Sequence, residues 1–497
     1  MPCSRACLGR SALVLGWGLV LVVLMLAGCQ ALPSSPGVDP LQEYRPALRP
    51  GFELSPAQLS ALLQYSITVQ VDPSLRAFHG VEEVTLPVTG PAGWSDLYFR
   101  LYPNLSQFGG SMQVSGARVN GLTVNFGYDA ESTAVHLTLP NPLPVGSTAQ
   151  VWLSFAGEAP QRPPGYYTIF GASEEILTLT NFYPILAGRR DGAWALDIAH
   201  PQGDVGFHDA ALYRVDVTAP ADQVVAATGT MITQTLTPEG WLTTRYVQGP
   251  AREFTLVLSR RFQIEEATSY GVRVRSYFLP EHALAGHSAL YRALTALQIY
   301  SDRFGPYPYS EMAVVEAPLT FHGMEFPGLS LIGTQVYDRY LSDLETLVAH
   351  EVAHHWWYNQ VGNDQLTSPW LDEGLAEFSM YFYFLDLYGL PAAERLRRSR
   401  WEAPVQLAAE QGRDAPIGQA VDAYRGNYET IIYGKGALFF TRLRAEMGER
   451  AFQRLLRLYL ERYRWRIATP ADFQALAEEV AGRDLAPLFD EWVRGVG

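Results

Sequence analysis

Residues 350–354 read His-Glu-Val-Ala-His, and Glu373 follows nineteen positions after the second histidine, within Trp-Leu-Asp-Glu-Gly-Leu. On a helix, positions i and i+4 share a face, so His350 and His354 can point at one metal ion. Glu351 then sits one step round the cylinder, beside the fourth coordination position. Glu373, at the start of the next helix, is placed as third ligand. Three protein ligands and one open position suit a catalytic zinc ion, whereas a structural zinc site closes all four positions with protein. Zinc lowers the pKa of its water toward neutrality, and Glu351 is placed to take the proton as the hydroxide attacks a carbonyl. A metzincin site needs glycine at 357 and histidine at 360. The chain has Trp357 and Gln360, which excludes that architecture.

Such a site needs two helices held side by side. Ser342 and Glu345 have capping-box spacing and predict a helix that carries both histidines to about Tyr358. The loop Val-Gly-Asn-Asp-Gln-Leu-Thr-Ser-Pro follows, then a second helix from about Leu371 to Tyr388, stopped by Gly389 and Pro391. Upstream, helical periodicity spans His282 to Phe304. A strand (Met312 to Glu316) and an edge-like segment (Gly323 to Ile332) come next. Beyond Ala392 the pattern is almost wholly helical. From Tyr65 to about Glu265 the period is two, with Gly, Pro and Asn turns, which predicts a mostly antiparallel β domain.

The first residues read as a targeting segment. Arg5 and Arg10 precede an apolar run from Ala12 to Leu26, short for a membrane span but suited to a secretory signal. Leu-Ala-Gly-Cys at 26–29 resembles the bacterial lipoprotein box, which makes Cys29 the lipidated first residue of a mature, extracytoplasmic, membrane-tethered protein. An uncleaved anchor helix ending in a chance cysteine is the alternative. Cys3 and Cys7 lie upstream, so no disulfides are expected. The expected division is a signal peptide at 1–28, a flexible tether at 29–58, an N-terminal β domain at 59–265 and a catalytic domain at 266–497. With 51 acidic against 37 basic residues, a formal charge of −14 and no basic stripe, nucleic acid is excluded as a partner. Lys435 is the sole lysine.

His-Glu-Val-Ala-His-His-Trp-Trp, Val-Gly-Asn-Asp-Gln and Pro-Trp-Leu-Asp-Glu-Gly-Leu-Ala together resemble the gluzincin aminopeptidase N family, which includes the leukotriene hydrolase. The spacing from His354 to Glu373 agrees with that family. Phe-His-Gly-Met-Glu-Phe at 321–326 resembles the family's Gly-Ala-Met-Glu-Asn strand, which implies that Glu325, with Met324 and Gly323, binds the substrate's free α-amine. Ile-Ile-Tyr-Gly-Lys-Gly-Ala at 431–437 resembles its Tyr-x-Lys-Gly-Ala segment, which implies that Tyr433 steadies the oxyanion. The resemblance implies a multidomain chain: a β-sandwich or saddle-like N-terminal domain, then a thermolysin-like α+β domain ending in a helical subdomain. It also implies one Zn2+, peptide substrates with a free N-terminus, and a short form without the family's large helical C-terminal domain, hence a more open cleft.

Each residue has a plainer alternative. Tyr433 could be a packed core tyrosine and Glu325 a solvated strand carboxylate. Asp372 and Glu377 are candidates to orient the histidines from behind, or salt-bridged surface acids. Phe326 and His322 depart from the family strand, and Thr-Asn-Phe-Tyr-Pro-Ile-Leu (180–186) stands where the family's second amine-binding residue is sought. The amine site is therefore expected to have one carboxylate. The functional reading is a zinc aminopeptidase, with a thermolysin-type endopeptidase and a non-catalytic peptide-binding surface lipoprotein as rivals.

Overall fold

Alternating side chains build the first half of the molecule. In the strand Leu63–Asp72, Tyr65, Ile67, Val69 and Val71 are buried while the residues between them face outward, the period-two pattern of a sheet with one covered face. This strand lies inside an eight-stranded sheet. The neighbours run in the order Thr230–Leu236, Trp241–Ala251, Ala211–Pro220, Leu63–Asp72, Ala77–Pro87, Thr148–Glu158, Ser111–Val119 and Leu122–Thr123. One pair departs from the expected antiparallel pattern: Leu63–Asp72 runs parallel to Ala211–Pro220. A parallel pair needs a long crossover rather than a tight turn, and the intervening chain builds two further four-stranded sheets, in part, on its way. The computed structural model describes residues 42–496 apart from 75, 91 and 162–167. The expected signal peptide, Cys29 and the tether as far as residue 41 lie outside the described residues.

Residues 42–58 are not tether. Tyr44, Ala47, Leu54 and Leu59 pack with Leu212 and Val247 in a small apolar core, and Ser55 and Gln58 form a capping box on the short helix Pro56–Ser60. Their apolar side chains favour burial over free linker, which their Pro content concealed.

The second half opens with a five-stranded sheet, ordered Gln263–Ser269, Val272–Phe278, Glu311–Ala317, Leu329–Gly333 and Gly323–Phe326. Its first strand straddles the boundary expected at 265. The last two strands form a hairpin turned by Pro327 and Gly328, the glycine taking φ +69° as such a turn requires. The sheet is a wall shared by two cores. On the central strand Met312 and Val314 join the helical core, whereas Ala313, Val315 and Ala317 join the β core.

Long helices cover the far face: Ala283–Phe304, Leu344–Ala353, Glu373–Tyr388, Gly436–Met447, Glu449–Tyr463 and Pro470–Ala481. Trp356, Trp357, Trp370 and Trp401 are fully buried among them. Among the described residues, no helix is long and apolar enough to cross a membrane.

Candidate active site

The helix Leu344–Ala353 carries His350 and Glu351, and His354 is its C-terminal cap. Its start differs from expectation. Ser342 bonds its neighbour Asp343, and Glu345 accepts hydrogen bonds from Arg292, Tyr383 and Tyr388 instead of capping. Its end comes earlier than Tyr358, which holds φ +94°. That left-handed conformation is unfavourable for a side chain with a Cβ. The Tyr358 phenol is anchored on both oxygens of Glu253, and its backbone N–H donates to Val361 O.

Three ligand atoms converge here. His350 Nε2 is 3.1 Å from His354 Nε2 and 3.2 Å from Glu373 Oε2, and His354 Nε2 is 3.4 Å from the same oxygen. Ligands about 2.0–2.1 Å from a tetrahedral zinc ion lie roughly 3.3–3.4 Å from one another, so the triangle has the size of one tetrahedral face. The outer nitrogens agree with this. His354 Nδ1 lies 3.2 Å from the carbonyl of Trp357, which can only accept, so its Nε2 offers a lone pair to the triangle. His350 Nδ1 is 3.2 Å from Glu377 Oε2. Burial alone would raise the Glu377 carboxyl, but Arg400 and His350 hold it down at about 2. Trp401 Nε1 donates to it as well, at 2.7 Å. Glu377 thus sits behind a histidine. Asp372 does not: its carboxylate accepts from Asn363 and Gln365, each at 2.8 Å.

Glu351 stands on the cavity side of this triangle. Its Oε2 is buried with no hydrogen-bond partner, and a Cβ on Gly323 would lie 2.3 Å from its Oε1. Only glycine allows that approach. Burial pushes the Glu351 carboxyl up to about 8, with both histidines opposing the shift. Tyr433 lies on a π-helical turn, Glu429–Lys435, of the kind often found at functional sites. Its hydroxyl donates to Glu373 Oε1 at 2.8 Å and its ring stacks on His350, 5.6 Å between centroids. Gly436 meets Gly374 backbone to backbone, a Cβ on Gly436 falling 3.1 Å from the Gly374 Cα. Gly436, beside the sole lysine, therefore brings the tyrosine's helix onto the ligand's helix, while Lys435 pairs with Asp414.

Glu325 points into the same cavity from the edge strand, 3% exposed, and Gly323 lines it one pleat away. Met324, expected beside them, faces the other side of the strand and packs in the β core, as alternation demands. The residue the sequence reading missed is Asp204. It arrives on an irregular segment of the β half and is buried, and carboxylate oxygens of Asp204, Glu325 and Glu373 lie within 4.8 Å of one another. Burial first, then Glu325 and Glu373, push the Asp204 carboxyl well above its ordinary range. Two carboxylates, Asp204 and Glu325, thus converge beside Glu373 where the sequence led us to expect Glu325 alone. Its signal was Gly-Asp-Val-Gly: a Cβ on Gly203 would meet Val421 at 2.7 Å, and one on Gly206 the Tyr358 hydroxyl at 2.2 Å. Tyr428 also went unnoticed; its hydroxyl is buried, unpartnered and in the cavity wall. The cavity holds about 350 Å³, and Phe321, Leu347 and Pro404 supply apolar lining.

Residues 289–492 match the peptidase family M1 domain. Aminopeptidase M1-B of Oryza sativa subsp. japonica is 25% identical over 465 residues, covering 88% of this chain and 50% of the relative. Aminopeptidase M1 of Arabidopsis thaliana is 29% identical over 257 residues, covering 47% of this chain and 28% of the relative. The chain spans about half the length of the rice relatives it matches. The fold is shared with a crystal structure of an M1 zinc metallopeptidase from Deinococcus radiodurans, with a TM-score of 0.67, 22% identity and coverage of 88% of this chain and 94% of that one. His350, Glu351, His354, Glu373 and Tyr433 all lie within the residues that match the peptidase family M1 domain, so the converging ligand atoms, the buried carboxylate beside them and the tyrosine fall in the part of the chain that is similar to that family.

Proposed function

We propose that the protein is a zinc aminopeptidase that removes residues from the free N-terminus of peptides. The observation that carries this reading is the pairing of Asp204 with Glu325 beside the metal triangle. Converging buried carboxylates are costly unless positive charge compensates them, and a substrate ammonium supplies that charge one residue from the scissile bond. One Zn2+, held by His350, His354 and Glu373, would supply a Lewis acid and make water acidic near neutral pH. Glu351, with its carboxyl raised toward neutrality, accepts the proton of the attacking water and returns it to the leaving amine. Burial keeps the Tyr433 phenol protonated far above its ordinary range, so it donates to the oxyanion as negative charge develops. Glu377 and the Trp357 carbonyl hold the imidazoles in the tautomer that leaves Nε2 free.

The names of the rice and Arabidopsis relatives support this reading, as does an M1 zinc metallopeptidase from Deinococcus radiodurans solved with a Tyr-Ser-Ala substrate. Hydrolysis of matched peptides with free and N-acetylated termini tests it. A strong preference for the free amine is expected, and equal cleavage of the blocked peptide would sink the exopeptidase role. The protein is further proposed to act outside the cytoplasm, tethered through lipid on Cys29. The apolar run at 12–26 and the Leu-Ala-Gly-Cys box support that. Incorporation of labelled palmitate that Cys29→Ser abolishes is the expected result.

A further inference from the structure

We infer that Gln365 is a positioning residue that aims the amine site, and that through it the restriction to free termini depends on the β half of the chain. The inference rests on the aminopeptidase reading above. Gln365 lies in the loop between the two metal-binding helices and is 1% exposed. Its Nε2 donates to Glu325 Oε1 at 2.9 Å and to Asp372 Oδ2 at 2.8 Å, while its Oε1 accepts the backbone N–H of Gly206 at 3.1 Å. Its own backbone N–H returns to Gly206 O at 3.4 Å. Both donor hydrogens and the acceptor of the amide are therefore engaged.

No other side chain of this size does all three things. Glutamate would bring a further carboxylate between Glu325 and Asp372. Methionine would remove the donor that Gln365 gives to each, leaving Asp372 with Asn363, and would leave the Gly206 N–H without its acceptor. The bridge ties together three separate parts of the site. Glu325 stands on the edge of the catalytic sheet. Asp372 immediately precedes the ligand Glu373 and is held from its other side by Asn363. Gly206 lies two residues from Asp204, and a Cβ on it would be 2.3 Å from Gln365 Oε1. One amide thus sets the direction of one amine-binding carboxylate and docks the segment that brings the other. Gln365 is not among the residues lining the cavity, so it works through its neighbours rather than on the substrate.

The test compares parent enzyme, Gln365→Met and Gln365→Glu, each loaded with zinc, on a tripeptide with a free amine and on its N-acetylated form. Hydrogen bonds to charged groups are strong enough that KM for the free peptide should rise roughly 10- to 100-fold in Gln365→Met. Its kcat should stay within about threefold, because the metal triangle is untouched. Cleavage of the acetylated peptide and zinc content should not change, so the preference for the free peptide collapses. Gln365→Glu keeps the acceptor for Gly206 and nearly the same shape, and should show the same KM effect even where Gln365→Met fails to fold. A parent enzyme that does not distinguish the two peptides overturns the aminopeptidase reading, and this inference with it. A parent that does distinguish them, with variants that keep the preference or lose kcat equally on both peptides, overturns the role of Gln365 alone.

Discussion

The metal end and the amine end of one cavity are built in opposite ways. At the metal end, His350, Glu351, His354 and Glu373 come from two consecutive helices, and Tyr433 is brought to them by a glycine-to-glycine contact. At the amine end, Glu325, Asp204 and the Gln365 bridge come from an edge strand, an irregular segment of the β half and an interhelical loop. On the proposed function, the chemistry of hydrolysis is therefore carried by local spacing, while the choice of substrate terminus is carried by long-range assembly. The second can be altered without disturbing the first.

Mutations at the two ends should separate accordingly. Glu351→Gln keeps the shape and removes the base, so kcat should fall roughly 10²- to 10⁴-fold with zinc content unchanged by elemental analysis. A loss below tenfold would move the base elsewhere. Tyr433→Phe should lower kcat by roughly 10²- to 10³-fold, the range for losing one oxyanion donor, with KM little changed in steady-state assays. Glu377→Gln should weaken zinc binding roughly 10- to 100-fold in chelator competition; unchanged affinity would reduce Glu377 to a partner of Arg400. The smallest effect belongs to the amine end. Asp204→Asn should raise KM for free-amine peptides about tenfold and leave acetylated peptides unaffected. A fall in kcat for both would put Asp204 with the metal, and the two ends would no longer be separable.

This division also decides what could be read from the residues alone. The His-Glu-Val-Ala-His spacing works because helix geometry converts four positions into one face. Glu325 was legible only through family resemblance, since one strand carboxylate looks like another. Met324 was misassigned beside it because the motif was read as a unit, whereas the pleat turns alternate residues to opposite faces. Asp204 was invisible: nothing local distinguishes it from a surface aspartate, and its meaning comes from the long crossover that returns the chain to the eight-stranded sheet at Ala211–Pro220. The glycines flanking it were the only trace, marking close approach without saying to what. The histidine helix ended early because Tyr358 is held in a left-handed turn by Glu253, a partner far away in sequence.

The five-stranded sheet gives one side to each of the two cores. An excised catalytic half, starting at the sheet, would leave Ala313, Val315, Leu329 and Leu331 facing water, an apolar surface of the kind that drives aggregation. The halves named as domains from sequence are thus obligate lodgers in one building with a common interior partition. They should melt together, and a fragment enzyme cut at that partition is not a viable route to a smaller catalyst.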